Sequence, residues 1–326
     1  DESSKLKSPS SKRTHEARML GQRAAYRRLL SGTPILRGLE DLYTQYDIIE
    51  PGLTGHRRFA AFRRYYCVTR PIPGARSRFA EQIVGYRNEN ELKRRTAAHT
   101  TRVEAREFRP EANPSFMRVA APMTPEQQRM YDTMLTDLMA EVNGEAITVE
   151  NALTRMGKLM QIASGYILDA EGKVAWISPN KITAIHDLLD SLDEPVVLFA
   201  PFIALQDRLE TSTRERGDRP VFRYRGRDDV QAWKDAGGVI VGNQGSGLGI
   251  GQNLQNAAAT IYAANNFSSE ARWQSIYRTN RIGQERQCRF WDIVAPDSIE
   301  GKVLASLDAK EELAARSIND IRRFLE

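Results

Sequence analysis

The chain has 326 residues, of which 41% are apolar, 27% charged and 8% aromatic, and its net charge is +5. At about 100–200 residues per domain, this length predicts about two domains, and the apolar content excludes a disordered chain. The two cysteines and four scattered histidines form neither a CxxC nor an HExxH motif, which argues against a disulfide scaffold and a histidine-based metal site.

Few elements are predicted for residues 1–115. In chain order they are a serine-rich loop around Pro9, a helix ending at Leu20, a short strand at Arg27–Ser31, a turn at 32–34, a helix through Leu39, Leu42, Tyr43 and Tyr46, and a proline-containing linker at 109–115. Residues 56–110 are dense in Arg and Tyr and predict no particular element. The linker predicts two domains, at 1–112 and 113–326.

The rest of the chain is more regular. Thr124, Pro125 and Gln127 form a capping-box pattern that begins a helix, a second helix covers about 149–163, and Tyr166–Ile177 predicts a hairpin. Strands and helices then alternate, with strands predicted at 196–200, 221–224, 238–242, 260–264 and 290–294, and helices at 202–214, 228–235, 270–281 and 298–325. Because repeated βα units require a parallel sheet covered by helices, the predicted fold class is α/β.

Basic residues are concentrated in the first third of the chain. Residues 1–118 contain 24 Lys and Arg against 13 Asp and Glu, a net +11, whereas the remainder contains 23 against 29, a net −6. This distribution predicts a polyanionic partner for the first part, with a solvated Arg-rich surface as the alternative. The longest apolar run, 196–205, has ten residues, about half of a membrane span. With no signal peptide recognised, we expect a cytoplasmic protein with no membrane partner.

A glycine-rich loop (QGSGLGIGQNL, 244–254) follows an apolar strand. In parallel sheets ligands gather at the carboxyl ends of the strands, and alternating glycines let the backbone approach a phosphate or another chain closely. The loop is not a GxGxxG fingerprint, and no Walker GxxxxGK[ST] motif occurs in the 326 residues. Taken by itself, therefore, the loop favours a tight turn over a ligand site.

Two further patterns predict anion or metal chemistry. Gln274, Arg278 and Arg281, spaced by four and three, share one face of the predicted helix. Two guanidiniums there would clamp an anion, since Arg meets phosphate oxygens bidentately; a solvated basic face is the alternative. The adjacent acids Asp1 and Glu2 could hold Mg²⁺ through water and polarise an attacking water.

Together and in order, these pieces resemble the Swi/Snf-type, helicase-like ATPases of superfamily 2 over nearly the whole chain. The motifs that carry the resemblance are Asp1-Glu2, Ser31-Gly32-Thr33-Pro34, Pro122-Met-Thr-Pro-Glu-Gln-Gln with Tyr131, Leu159-Met-Gln-Ile, the strand VVLFAPF, the Gly-rich loop running into Asn253-Leu254-Gln255-Asn256-Ala257, and Gln274…Arg278…Arg281-Ile-Gly-Gln. The resemblance implies a RecA-like P-loop NTPase helicase core, with part of the first lobe at 1–112 and a complete second lobe at 113–326. In this family ATP lies in the cleft between two lobes and DNA crosses both.

The resemblance also implies a role for each matching residue. Asp1 and Glu2 would coordinate Mg²⁺ and activate water, and Ser31, Gly32 and Thr33 would couple the ATP state to the DNA path. In the second lobe, the residues beside the nucleotide and the DNA would be Gly247, Gly249, Asn253 and Gln255. Arg278 and Arg281 would be arginine fingers, and Gln274 and Gln284 would bind nucleotide nearby. Fingers of this kind stabilise charge on the transferring phosphoryl group.

The chain departs from the family pattern at three points. Ser3 and Ser4 stand where the family usually has a small residue and His or Gln, Ser31 replaces a threonine, and Gly251-Gln252 lengthen the glycine-rich loop. The sequence also begins at the acidic pair, without the strand and Walker loop that precede it in the family. We therefore expect the parent protein to need a further first-lobe segment as partner, and this chain alone to hydrolyse little ATP.

Three functions remain open from the sequence. The first is the C-terminal portion of an ATP-dependent translocase on double-stranded DNA, favoured by the arginine pair. The second is a DNA-binding RecA-like module without turnover, favoured by the missing Walker loop, and the third is a fragment that no longer acts. Contact with DNA is expected mostly at phosphates, through Lys5, Lys7, Lys12, Arg13 and the arginines at 57–64.

Overall fold

The chain folds into two compact units, Asp1–Glu104 and Ala105–Glu326. The computed structural model describes residues 2–32, 34–35, 38–71, 81–103, 114–144, 147–169 and 171–308. Within these ranges, every helix is too short or too polar to cross a bilayer.

The first unit consists of helices around a small hairpin. Its elements are α1 (Lys12–Arg23), α2 (Glu40–Ile49), α3 (Phe59–Tyr66), the antiparallel strands β1 (Cys67–Pro71) and β2 (Glu81–Tyr86), and α4 (Glu89–Ala97). Tyr43, Phe62, Tyr66 and Leu92 form its core. The predicted helix around Leu39 is thus α2, and α1 runs three residues beyond the predicted end.

The strand predicted at Arg27–Ser31 is wrong. Residues 27–31 belong to no strand, although the Leu30 carbonyl accepts a hydrogen bond from the Ser3 amide at 2.9 Å. An extended segment becomes a strand only when a neighbour completes the ladder of backbone hydrogen bonds. Within the described part of this unit, the one ladder is that between β1 and β2.

The second unit is built on a six-stranded parallel sheet. Its elements are β3 (Ser115–Ala120), α5 (Pro125–Asn143), α6 (Val149–Ala163), the hairpin β4 (Tyr166–Leu168) and β5 (Val174–Trp176), α7 (Asn180–Asp190), β6 (Val196–Phe199), α8 (Ile203–Arg216), β7 (Val221–Arg223), α9 (Arg227–Ala236), β8 (Val239–Gly242), β9 (Ala259–Tyr262), α10 (Ser269–Thr279), β10 (Arg289–Val294) and α11 (Ile299–Asp308). The strand order is β3-β10-β9-β6-β8-β7, with every pairing parallel. The predicted α/β class is confirmed.

Side chains of the central strand show why both faces of the sheet are covered. In β6, Val196 and Leu198 pack into a core with α7 and α8, whereas Val197 and Phe199 pack into a second core with α9 and α10. All four are buried, as expected for a strand between two helical layers. Burial of both faces explains why the run of residues that predicted this strand is continuously apolar.

Two elements of the second unit were not predicted. β3 lies at the edge of the sheet, where its residues alternate between half-buried and exposed. Its first residue, Ser115, had been assigned to the predicted linker. α7 received no prediction at all, although it packs on the sheet. The capping box of α5 is confirmed, since the Gln127 amide donates to the Thr124 hydroxyl and the Thr124 amide donates to Gln127 Oε1, both at 3.3 Å. The last predicted helix begins at Ile299, and residues 309–326 lie outside the described ranges.

A buried lysine joins α7 to the sheet and to α11. Lys181 is fully buried, and its ammonium donates to the carbonyls of Ala263 at 2.7 Å and Ile293 at 3.2 Å and to the Glu300 carboxylate. Burial lowers the pKa of Lys181, while Glu300 opposes that shift. The pair therefore holds two helices against the ends of β9 and β10.

Candidate functional site

Three loops meet at the carboxyl edge of the sheet in the second unit. The Asn243 side chain, just after β8, donates to the Pro201 carbonyl after β6 at 3.0 Å. The neighbouring Gln244 donates through Nε2 to Asn266 Oδ1, after β9, at 3.0 Å. These contacts join the ends of three adjacent strands at the edge where parallel sheets bind ligands.

The glycine-rich loop turns sharply at two glycines. Gly247 has φ +50°, and a Cβ atom there would lie 2.4 Å from the ring of Tyr224. At Gly249 a Cβ would lie 2.0 Å from the Gln244 carbonyl oxygen. Gln252 adds a hydrogen bond from Nε2 to the Tyr224 hydroxyl at 3.2 Å. Glycine is therefore required at both positions because the chain packs closely on itself, as in the tight turn that the sequence favours for this loop. Close approach to a phosphate stays a prediction.

Gly249→Ala is expected to destabilise the loop. The new methyl would overlap backbone atoms that cannot rotate away, so we expect a loss of about 1–3 kcal/mol in the free energy of unfolding. Urea denaturation measures it. Gly301→Ala is the matched control, because a Cβ there meets nothing within 4 Å, and its effect should be neutral or stabilising. Equal stability of the two variants would contradict the close approach at Gly249.

Arg278 connects the glycine-rich loop to α10. Its Nε donates to the Gly249 carbonyl at 3.3 Å, and its own carbonyl accepts from the Leu254 amide at 3.0 Å. The side chain is half-buried at the last turn of the helix. The middle and the last residue of the loop are thus tied to one residue.

Gln284 holds the far end of the loop. Its Nε2 donates to the carbonyls of Gln255 at 2.8 Å and Ala257 at 2.9 Å, and its Oε1 accepts from the Arg286 amide at 3.1 Å. The structure therefore brings Gly249, Arg278, Gln255 and Gln284 together, although they are spread over more than thirty positions of the sequence.

The predicted common helical face of Gln274, Arg278 and Arg281 is wrong for Arg281. α10 ends at Thr279, and Arg281 lies in the following turn with its side chain exposed. Asn280 leaves helical geometry at ψ +75°, which turns the next residues off the helix axis. Gln274 is 9% exposed, and its Nε2 donates to Glu270 on the same helix at 3.4 Å.

The remaining predicted loop residues face outward. Asn253 is exposed, and its Oδ1 accepts from the Gln255 amide at 3.2 Å. Gly247 is exposed as well, at the start of the tight turn. These positions are open to a macromolecule, in contrast with the buried Gln274.

A buried ion pair attaches α10 to the sheet. Arg272 and Asp292 are 4% and 5% exposed, and the guanidinium meets both carboxylate oxygens at 2.8 Å. Asn265 contacts both partners, donating to Asp292 Oδ1 at 2.7 Å and accepting from Arg272 at 3.2 Å. The guanidinium also lies 3.6 Å above the ring centre of Tyr262.

Two hydroxyl pairs extend this attachment along the helix. The Ser275 hydroxyl donates to the Arg272 carbonyl at 2.7 Å, so the Tyr262 hydroxyl, 2.8 Å away, donates to Ser275 Oγ. Burial raises the pKa of Tyr262 to about 12, so this donor stays protonated. Thr260 and Thr279 pair one turn further on at 3.3 Å. The polar pairs at 272, 275 and 279 set the position of α10 along β9.

In the first unit, the acidic segment adjoins the SGTP segment. Glu2 has φ +55°, a left-handed backbone that is unusual for a residue with a side chain. The next amide, that of Ser3, bonds to Leu30, the residue before Ser31. Ser31 is half-buried and Gly32 exposed, while Asp1 and Thr33 lie outside the described residues.

Sequence reasoning missed Gln45, which connects these two segments. Ser3 Oγ donates to Gln45 Oε1 at 2.7 Å, and Gln45 Nε2 donates to the Pro34 carbonyl at 2.8 Å. The only sequence signal was a polar residue within the apolar repeat of α2, which does not name its partners. Arg272 and Asp292 were missed for the same reason.

The predicted magnesium ligands Asp1 and Glu2 are not tested as a pair, because Asp1 lies outside the described residues. Within the described ranges, no group of three or more His, Cys, Asp or Glu side chains lies close enough to hold a metal ion. The acidic pair therefore remains a prediction.

Surface arginines of the first unit divide into two kinds. The half-buried Arg63 pairs with Glu81 at 3.7 Å, and the exposed Arg95 pairs with Glu91 at 2.8 Å. Arg57, Arg58 and Arg64 are exposed and have no carboxylate within 4.0 Å among the described residues. The charges of this second kind are not offset by a nearby carboxylate.

The fold is that of a SWI2/SNF2 ATPase core, as comparison with solved structures shows. The Sulfolobus solfataricus SWI2/SNF2 ATPase core domain matches with a TM-score of 0.50 and 18% identity, over 98% of this chain and 68% of that one. The C-terminal part of the Fun30 ATPase domain also matches with a TM-score of 0.50, at 16% identity, over 66% of this chain and 97% of that one. The predicted RecA-like architecture is confirmed.

Sequence relatives agree with this class. An uncharacterised ATP-dependent helicase of Mycoplasma genitalium is 23% identical over 90% of this chain and 28% of its own length. The DNA repair and recombination protein RDH54 of Saccharomyces cerevisiae is 23% identical over 98% of this chain and 36% of its own length. The Zorya protein ZorD of Escherichia coli is 24% identical over 88% of this chain and 28% of its own length.

The resemblance to Swi/Snf-type, helicase-like ATPases of superfamily 2 is thereby confirmed. No protein-family model matches the chain. The chain spans about a third of the length of these relatives.

Proposed function

We propose that this chain is the part of an ATP-dependent DNA translocase that couples ATP hydrolysis to movement on double-stranded DNA. The observation that carries the proposal is the link between Arg278 and Gly249. One residue of α10 holds the glycine-rich loop at its middle, Gly249, and at its last residue, Leu254, at 3.3 Å and 3.0 Å. A change in that loop therefore reaches the helix that carries the arginine.

The arginines supply the chemistry in this proposal. Phosphoryl transfer depends on positioning and on stabilising charge that develops on the phosphate oxygens. Arg278 and Arg281 are arginine fingers for the γ-phosphate of ATP, with Gln284 fixing the loop beside them. Gly247, Gly249 and Gln274 belong to the nucleotide side, and Asn253 and Gln255 to the DNA side. The names of the relatives, which include ATP-dependent helicases and a DNA repair protein, support this assignment.

The acidic segment has the complementary role. Asp1 and Glu2 would hold Mg²⁺ through water and polarise the attacking water. Ser31, Gly32 and Thr33 would couple that state to the DNA path. The left-handed backbone at Glu2 (φ +55°) supports a constrained position for this residue, since strained residues cluster at active sites. The domain division at 1–112 and 113–326 remains part of the proposal.

The decisive test is DNA-stimulated ATP hydrolysis by the natural full-length protein. We expect duplex DNA to raise the steady-state rate, because a translocase hydrolyses ATP productively only on its track. DNA binding without any hydrolysis would favour the second candidate, a RecA-like DNA-binding module.

The basic residues of the first unit are expected to contact DNA phosphates. The triple variant Arg57→Ala, Arg58→Ala, Arg64→Ala should weaken duplex binding for all sequences alike, since phosphate contacts carry no base information. The slope of log affinity against log salt should fall by about 0.9 for each contact removed. Fluorescence anisotropy over a salt series measures both quantities.

Arg95→Ala is the matched control for that variant. Arg95 is exposed, but Glu91 holds its guanidinium at 2.8 Å, so it offers less charge to DNA. Its removal should leave the salt slope nearly unchanged. An unchanged slope in the triple variant, or equal binding of a duplex with a neutral backbone, would contradict the phosphate contacts.

A further inference from the structure

A single buried glutamine bridges two segments of the first unit. Gln45 is 5% exposed and lies on α2. Its Oε1 accepts from the Ser3 hydroxyl at 2.7 Å, and its Nε2 donates to the Pro34 carbonyl at 2.8 Å. The same Nε2 donates to the Asp41 carbonyl one turn back at 2.9 Å, which fixes the orientation of the side chain.

The bridge needs an amide side chain. Ser3 presents a donor and Pro34 presents an acceptor, so the connecting group must accept on one side and donate on the other. A carboxylate accepts only, and an apolar side chain does neither. Because the site is buried, an unsatisfied partner costs about 1–3 kcal/mol. Gln45 is thus matched to both segments.

The bridge lies next to two predicted functional motifs. Ser3 follows Glu2 directly, and its amide bonds to Leu30 at 2.9 Å, just before Ser31. Pro34 ends the SGTP motif.

We propose that Gln45 is a positioning residue that couples the acidic segment at Glu2 to the SGTP segment ending at Pro34. This inference rests on the proposed function. A shift of the SGTP segment pulls on the Gln45 amide and is passed through the Ser3 hydroxyl to the backbone that carries Glu2. Since α2 is packed into the core of the unit through Tyr43, the backbone of Gln45 stays in place while its side chain transmits that movement.

Gln45→Leu in the natural full-length protein tests the coupling. We expect the DNA-stimulated ATPase rate to fall by about 10- to 100-fold, the cost of a misplaced catalytic group, while the KM for ATP changes little. Ser3→Ala should give a smaller loss in the same direction. In the double variant the losses should not add, because the two residues form one connection.

Thr44→Val is the matched control on the same helix. Thr44 is fully buried, and its hydroxyl donates to the Lys7 carbonyl at 3.0 Å, so its loss perturbs α2 without cutting the bridge to Pro34. DNA stimulation should survive in this variant even if the melting temperature falls as far as in Gln45→Leu. Equal loss of stimulation in both variants would reduce Gln45 to a structural residue and overturn the proposal.

Hydrogen exchange separates this inference from the proposed function. Gln45→Leu should speed amide exchange in both peptides that flank the bridge, 2–6 and 29–35, and Thr44→Val should leave 29–35 unchanged. Unchanged exchange at 29–35 in Gln45→Leu overturns the coupling whatever the enzymatic result. If the wild-type protein shows no DNA-stimulated hydrolysis, the proposed function fails instead. Should Gln45→Leu not fold, Ser3→Ala supplies both readouts.

Discussion

Replacing Arg281 by alanine is expected to lower the DNA-stimulated ATPase rate of the natural full-length protein by about 10³- to 10⁵-fold. In the proposed mechanism its guanidinium stabilises charge that appears only during phosphoryl transfer, so the loss should fall on kcat. DNA binding should persist, because the arginine acts on the nucleotide. Steady-state hydrolysis at saturating ATP and DNA, with a parallel anisotropy titration, measures both.

Arg281 gives a cleaner test than Arg278. Arg278 also donates to the Gly249 carbonyl at 3.3 Å, so its removal loosens the glycine-rich loop as well as the nucleotide site. Arg281 lies beyond the end of α10 with an exposed side chain, and its replacement should leave the melting temperature nearly unchanged. Arg281→Lys should also fail, since an ammonium cannot make the bidentate contact with phosphate.

Arg286→Ala is the control for the loss of positive charge in this region. Arg286 is exposed and is engaged by Glu194 at 3.0 Å, so its removal should leave turnover close to that of the wild type. If Arg281→Ala retained wild-type turnover, the finger assignment would have to be abandoned, while the fold and its relatives would stand.

The second large effect is expected for stability. Arg272→Met should lower the free energy of unfolding of the chain by about 3–5 kcal/mol, because it leaves the Asp292 carboxylate buried without its counter-charge. Asp292 is 5% exposed and lies inside the sheet, where water cannot replace the lost partner. Urea or thermal denaturation measures the change.

The double variant Arg272→Met, Asp292→Leu is expected to recover much of that loss. Removing both charges also removes the desolvation cost of burying them, so apolar replacements of a buried pair are often neutral or stabilising. A double variant as unstable as the single one would mean that the hydrogen bonds to Asn265, rather than the charges, hold α10 in place.

A surface pair at the same distance serves as control. Arg118 and Asp308 also meet at 2.8 Å, but their side chains are 60% and 65% exposed. Arg118→Met should therefore cost less than about 1 kcal/mol. A similar loss in both variants would contradict the dependence on burial.

Local patterns in the sequence correctly predicted most strands and helices of the second unit. The apolar runs that became β6 and β8 identify strands buried on both faces, because only such strands need no polar side. Thr124 and Gln127 predict the start of α5 because a capping box satisfies donors within four residues of each other. The order of the motifs was sufficient for the resemblance to Swi/Snf-type ATPases.

The failures occurred where a distant part of the chain decides the outcome. Arg27–Ser31 has the composition of a strand but no ladder partner in the described part of its unit. β3 becomes a strand because β10, over 160 residues later, lies beside it in parallel register. Arg281 leaves the helix at the turn after Asn280, which helical spacing could not show.

The composition, the apolar runs of the buried strands and the order of the motifs can therefore be taken directly from the linear chain, because none of them requires a distant partner to be known. The contacts of the site cannot be taken from it. Ser3 meets Gln45 across 42 positions, Arg278 meets Gly249 across 29, and Arg272 meets Asp292 across 20. Which polar group faces which across such separations is set by how helices pack on strands, since packing alone brings the partners within hydrogen-bond distance and removes the water that would otherwise compete.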